Sequence, residues 1–285
     1  MTENTNPLQK YYRQPAIYVK LPSGGKYYPK EVFTPTETGE IPILPMTAKD
    51  EMTFKTPDSM INGQATVDVI KSCVPNLLDP WKMVNYDTDV VLLAIRIATY
   101  GETMEVNYTV PITNEQQTAA VNLPAVLEDL GKITIEDYTV TTKGFKVKIQ
   151  PLDYKTLTKV QIARFEQQKM IGTIESSTLT EEQRQTAFAK SFETINTVNF
   201  SLLLDSIQEI TTPDGSVVTD KKQILDFVNN ADTKTIKEIE EKLTELRLQA
   251  QVKPVKIRAT DEQIKKGVPA TFDLPITFDN SNFFG

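Results

Sequence analysis

Along this chain the spacing of apolar residues changes period several times, and each change predicts a change of element. In QATVDVIKSCV, residues 64–74, Val67, Ile70 and Val74 fall on one helical face, with Asp68 and Lys71 opposite. The run VVLLAIRIA, residues 90–98, is apolar almost all round. It predicts a helix buried at the centre of the N-terminal half, N-capped by Asp87 or Asp89 and ended by Gly101. From Met104 the period falls to two. Met104, Val106, Tyr108, Val110 and Ile112 share one face, as do Ala119, Val121 and Leu123, so two strands joined by a polar TNEQQ loop are expected. A short helix at about 124–130 follows, then a hairpin that turns at Thr142-Lys143-Gly144 with Phe145, Val147 and Ile149 alternating inward.

Residues 153–250 read as helical. Thr180-x-x-Gln183 fits a capping box, and Phe188, Phe192, Ile195 and Leu202 behind it follow helical spacing. The PDG at 213–215 is a turn, and Asp220 and Asp232 open two further helices. In the last of these, Ile236, Ile239, Leu243 and Leu246 form a stripe, read as the packed face of a local bundle, with a partner-docking groove as the alternative. Alternation returns at Val255, Ile257 and Ala259, and at Ala270, Phe272, Leu274, Ile276 and Phe278. The first 60 residues follow neither period. Ten of the 17 prolines lie in the first 80 residues, so long helices are excluded there. The stretch QPAIYVKLPSGGKYYP reads as short strands around a Ser-Gly-Gly turn.

Two segments echo each other. TNEQQTAAVNLP, residues 113–124, returns as TDEQIKKGVPATFDLP, residues 260–275, with four extra residues in the loop. Each is the loop and second strand of a predicted hairpin. The organisation that follows is α+β: residues 1–152 plus 251–285 form a core with a Pro-rich N-terminal segment, buried helices and a split β-hairpin module. Residues 153–250 form an inserted helical subdomain. Residues 104–123 and 253–278 are expected side by side, with Val110 and Ile257 in a shared core.

Composition narrows the chemistry. There is no histidine, which removes His-based acid/base catalysis, the Ser-His-Asp triad and His metal sites. Cys73 is the only cysteine, so no intrachain disulfide or Cys-rich zinc site can form, and no cofactor is expected. A lone thiol suits a reducing compartment. MTENTNPLQKYY has no apolar signal-peptide region, and residues 90–98 are too short a run to span a bilayer, so a soluble protein made and used inside a cell is expected. The net charge of −7 gives no general attraction to nucleic acid.

The candidate motifs reduce to structural readings. SGGK at 23–26 fails as a phosphate loop, because Lys20 and Tyr27 stand where glycine and Ser/Thr are needed. Asp87 and Asp89 could pair on a divalent metal, but a helix N-terminus accounts for both. Arg96 is expected to pair with a buried acid, and Cys73 to be a core thiol. Five of the ten tyrosines lie between Tyr11 and Tyr28, interleaved with basic residues. Tyr11, Tyr12, Arg13, Tyr27 and Tyr28, with Phe283 and Phe284 at the other end, form the candidate partner-binding set. Cover for the core edge and nucleic-acid stacking are the other readings of the same tyrosines.

The stretches NPLQKYYRQPAIYVKLPS, GEIPILPMTAKDE, TPDSMINGQATVDVIKSCVPN, DPWKM and LLAIRIATYG, with the terminal ITFDNSNFFG, resemble the T4-type bacteriophage baseplate hub family of hub subunits and hub-assembly proteins. The resemblance implies a non-enzymatic protein that builds the tail baseplate at or around its hub. Its partners would be other hub or tape-measure proteins, with no small-molecule substrate, membrane or nucleic acid. It would act in the host cytoplasm during assembly and, if retained, in the virion. Relatives carry a Cys-x-x-Cys knuckle in each hairpin, four thiolates that would bind zinc. The matching positions here are Val110, Thr113, Ile257 and Thr260, none of them a ligand, which implies a degenerate, metal-free zinc ribbon. Two further functions stay open: a tape-measure chaperone that leaves before completion, and a nucleic-acid-binding regulator.

Overall fold

A computed structural model describes residues 6–55, 63–133, 138–176 and 180–276, with backbone only at 173–176. Strand β1 (Ile17–Lys20) pairs antiparallel with β2 (Glu40–Ile43), Ile17 opposite Ile43. Helix α1 (Ala48–Phe54) starts at a capping box made by Thr47 and Asp50. Helices α2 (Gln64–Cys73) and α3 (Asn85–Tyr100) follow. Every residue of α3 from Val90 to Ile95 is buried. Each large aliphatic side chain so buried contributes roughly 1.5–3 kcal/mol, which makes α3 the axis of the first core. Ile41, Ile43, Ile70, Val74 and Leu77 pack around it.

Two local expectations do not hold. The Ser-Gly-Gly turn does not join a hairpin, since β1 takes β2 as its partner and the chain from Leu21 to Tyr28 forms successive turns. Gly25 has φ 77°, and a Cβ there would meet the Phe33 ring at 2.8 Å, so only glycine fits this bend. Helix α3 is capped by neither Asp87 nor Asp89. Its N-cap is Val84, and Asp87 lies fully buried inside the first turn.

The alternating stretches form β3 (Thr103–Thr109) and β4 (Gln116–Asn122), an antiparallel hairpin, and Asn122 then caps α4 (Leu123–Gly131). The next hairpin, β5 (Thr139–Thr142) and β6 (Phe145–Ile149), turns on Lys143 and Gly144 with φ of 49° and 84°, the two positive values of a tight two-residue turn. Helices α5 (Tyr154–Ser176) and α6 (Glu181–Ser206) then run antiparallel as an arm, α6 opening on the Thr180–Gln183 capping box.

Residues 153–250 are not wholly helical. Strands β7 (Ile207–Thr211) and β8 (Val217–Val218) extend the β5–β6 hairpin into a four-stranded antiparallel sheet, so β6–β7 pairing crosses the expected boundary between residues 152 and 153. Helices α7 (Lys221–Asn230) and α8 (Thr233–Gln249), capped by Asp220 and Asp232, cover that sheet. The stripe on α8 is therefore a packed face, but its partner is a sheet rather than a bundle. The misreading has a physical cause. Leu203, Ile207 and Ile210 keep helical spacing in sequence, and a register shift at Lys148/Ile149 lets Ile207 and Ile210 both face inward from one strand.

Strand β9 (Val255–Arg258), the single-turn helix α9 (Asp261–Lys265) and β10 (Thr271–Leu274) complete the chain as described. The echoing hairpins lie against each other. The Tyr108 and Phe272 rings are 5.8 Å apart, Lys266 pairs with Glu115 at 2.9 Å, and the matching Leu123 and Leu274 are both buried in the first core. Phe278 lies outside the described residues. Helix α9, capped by Thr260 and Gln263, is built largely from residues that match Asn114–Gln116 of the first copy, and the four extra residues fall within 264–269, at and after its end; the first copy has a plain loop there. This shifts the rungs. Ile257 pairs with Phe272 in mid-ladder and is half-buried against the first core, whereas Val110 is fully buried at the loop end, apart from that cluster, and its N–H donates to the Glu115 carbonyl, so the expected shared core of these two residues is corrected. Thr113 is half-buried in its loop and Thr260 caps α9, so the four positions aligned with ligands hold unequal places. Among the described residues no group of three or more acidic or cysteine side chains could hold a metal.

The two cores meet at a knot of polar side chains on α3. Asp87 accepts the Ser23 N–H at 2.9 Å, the Tyr28 hydroxyl at 2.7 Å and the Ser23 hydroxyl, while Tyr28 accepts the Val84 N–H at 2.9 Å. Burial pushes the Asp87 carboxyl above its usual range, and these donors pull it part of the way back. Tyr27 packs edge-on to Tyr138 at 5.9 Å, and Tyr138 shares a hydrogen bond with Tyr86 at 3.2 Å. Asp87→Ala would orphan these buried donors, and urea unfolding should show a loss of about 3 kcal/mol or more. Asp89, half-buried one turn position further on, has its carboxyl pushed up to about 7 by burial. A raised acid stabilises the fold below its unfolded pKa near 4, and that contribution is lost as pH rises through about 7. Stability should therefore fall between about pH 4 and 7. Asp89→Asn should flatten that slope and gain about 1–2 kcal/mol at pH 8, less than the full shift because water reaches the group.

Candidate interaction surface

The fold divides the sequence-predicted partner-binding set. Arg13 sits at the start of the extended chain leading into β1, and its guanidinium turns inward. Nη1 donates to the Pro45 carbonyl at 2.6 Å and to Asp50 at 3.2 Å, and Nη2 donates to the Ser72 carbonyl and hydroxyl at 2.7 and 2.8 Å. These contacts staple the N-terminal segment to α1 and α2. Burial works against the Asp50 carboxylate, yet hydrogen bonds from Thr47 and Ser72 and the Arg13 charge hold its pKa below the usual range. The Cys73 thiol lies 3.7 Å from Arg13 and is pushed by burial up to about 12, too high to act as a nucleophile at neutral pH. Tyr28 belongs to the Asp87 knot and Tyr27 to the junction between cores. Arg13, Tyr27 and Tyr28 thus leave the exposed set.

Tyr11 and Tyr12 remain outside. They end a 3-10 turn at Pro7–Tyr11 that Asn6 caps, and they are 74% and 56% exposed. The Lys10 ammonium lies 5.0 Å over the Tyr11 ring. Leu8 and Tyr18 are exposed as well. Tyr18 also lines a shallow groove of about 260 Å³ between β1 and α4, together with Lys20, Pro124, Leu127 and Glu128. The result is a strip of large rings with polar rims, which can offer contact area at low entropic cost. Phe283 and Phe284 lie outside the described residues.

A second surface went unread in the sequence. On the arm, Phe165 and Met170 of α5 and Phe192 of α6 are exposed. Arg164 bonds Asn199 at 3.1 Å and Ser191 donates to the Met170 sulfur at 3.3 Å, so the helices hold each other, Met170 lies with only part of its side chain outside, and Phe165 and Phe192 face out. Helical spacing alone groups Phe192 with packed residues. The usable signal was the polar company of Phe165 in ARFEQQ. Arg96 also departs from expectation. Among the described residues its guanidinium stacks on the Tyr100 ring at 4.6 Å rather than pairing with an acid, and its buried Nε and Nη1 have no hydrogen-bond partner there.

Thermal unfolding of single variants would separate the staple from the surface. Arg13→Ala should cost about 2–4 kcal/mol, by losing charge-assisted hydrogen bonds and leaving Asp50 unpaired. Tyr11→Ala and Tyr12→Ala should each change stability by less than about 0.5 kcal/mol. Equal losses in all three would mean that the tyrosines also hold the fold.

Among the described residues no helix is long and apolar enough to cross a membrane. No curated protein and no solved structure matches the chain. Over residues 14–280, nearly its whole length, the sequence matches the model of the family described as T4 bacteriophage base plate protein, and the chain belongs to that family.

Proposed function

We propose that this protein is a non-enzymatic subunit of the phage tail baseplate, placed at or around the hub and working through protein–protein interfaces. Membership of the baseplate family carries this reading. The exposed Leu8, Tyr11, Tyr12 and Tyr18 support it, because they present apolar area that no described part of the chain covers. Its partners on this reading are other hub or tape-measure proteins, met first in the host cytoplasm and kept in the virion. The zinc-ribbon relationship is part of the same proposal, with Val110 and Ile257 supplying apolar packing where relatives hold metal. A nucleic-acid role loses its footing, since Arg13 is used internally and the net charge is −7.

The arm favours one alternative. A two-helix projection carrying Phe165, Met170 and Phe192 fits a chaperone that shields a helical client such as the tape-measure protein and then departs. Mass spectrometry of purified virions separates the readings: a subunit is present at fixed stoichiometry, and its absence would sink that proposal. Co-expression with hub and tape-measure proteins adds a residue-level test. A Tyr11→Ala/Tyr12→Ala double variant should lower recovery of the hub partner by about tenfold, whereas Phe165→Ala/Phe192→Ala would do so for the tape-measure protein under the chaperone reading.

A further inference from the structure

Between the two echoing hairpins and α4 runs a groove of about 420 Å³. One wall is Ala120, Val121 and Asn122, and the other is the run from Lys253 to Lys256. Alternate residues line the face of a strand, so walls of consecutive residues mean that strand edges border the groove. The ladders agree. Leu123 donates to Glu102 and Val110 to Glu115, which sets the bonded rungs at odd positions of β4 and turns the backbone of Ala120 and the Asn122 N–H away from β3. Ala259 donates to Ala270, which likewise turns the backbone of Lys256 away from β10. Among the described residues β4 pairs only with β3, and β9 only with β10. Val126, Leu130 and Ile133 lie along the groove.

We infer that this groove is a docking site for an extended segment of a different protein, added as a strand along these edges and alternating apolar with acidic side chains. The free N–H and C=O groups supply main-chain recognition, and the lining from α4 takes every second side chain. Charge chooses the rest. Lys253 and Lys256 have no ion pair among the described residues, while Asp129 on the facing side is already engaged by Lys132 at 3.4 Å. Pro254 and the two lysines disfavour a second copy of this chain, because like charges would meet along a self-paired edge. The inference rests on these edges and stands whether or not the protein sits at the hub.

The test is fluorescence anisotropy of the full chain with a labelled seven-residue peptide alternating valine and glutamate. Saturable binding is expected. A block peptide of the same composition, and one N-methylated at alternate positions, should each bind at least about tenfold more weakly, the loss expected for one or two main-chain hydrogen bonds. Lys253→Glu/Lys256→Glu, two exposed changes that leave the core alone, should weaken binding by a similar factor and favour a valine–lysine peptide instead. Ala120→Pro, checked by circular dichroism for an intact fold, should abolish binding through loss of an outward N–H. Absence of binding, equal affinity for the block or methylated peptide, or a dimer that Lys256→Glu dissolves would each overturn the inference.

Discussion

Asp87 has no exposed surface and, among the described residues, no ion pair, yet three donors from the N-terminal segment converge on it. A buried carboxyl in that position is tolerable only if its hydrogen bonds are made, so the proline-rich chain must bring Ser23 and Tyr28 to α3. That requirement orients everything downstream. Tyr28 also takes the Val84 N–H at the helix start, where the N-cap residue, valine, has no side-chain acceptor of its own. Tyr27, its neighbour, then reaches Tyr138 and the second core. One acid thus links a segment without regular structure of its own to both hydrophobic clusters. Arg13 repeats the device on a smaller scale, bonding Pro45, Asp50 and Ser72 from three different parts of the chain.

Chain closure follows from the hairpin pair. Leu123 and Leu274 enter the same core although some 150 residues separate them in sequence, so the second sheet, its helices and the arm are all held between two fixed points. The arm can project because it carries little of this load: α5 and α6 contact mainly each other, and their large apolar side chains are partly left outside. On the proposed function the tyrosine strip, the arm and the edge groove, which differ in chemistry, would serve different partners.

What could be read in the chain was local. The apolar run of α3, the capping boxes at Thr180 and Thr260, the caps at Asp220 and Asp232, and the turn at Lys143-Gly144 all depend on residues within a few positions of one another. Absence of histidine and the single cysteine were equally plain, and they restrict chemistry without any coordinates. Even the neighbouring of the two hairpins was legible, because an internal echo carries long-range information that periodicity lacks.

Tertiary structure decided which partner each element took. Nothing near Ile207 distinguishes a helix that continues from a strand that pairs with β6, since both keep its apolar side chain inside; the sheet edge offered by β6 settles it. Nothing local tells Arg13 and Tyr28, which are consumed by buried acids, from Tyr11 and Tyr12, which stay in water. Residue type and spacing specify an element's own geometry. Burial and hydrogen-bond completion are properties of the whole packed chain, and they were settled only where Asp87, Asp50 and the free strand edges found, or did not find, a partner.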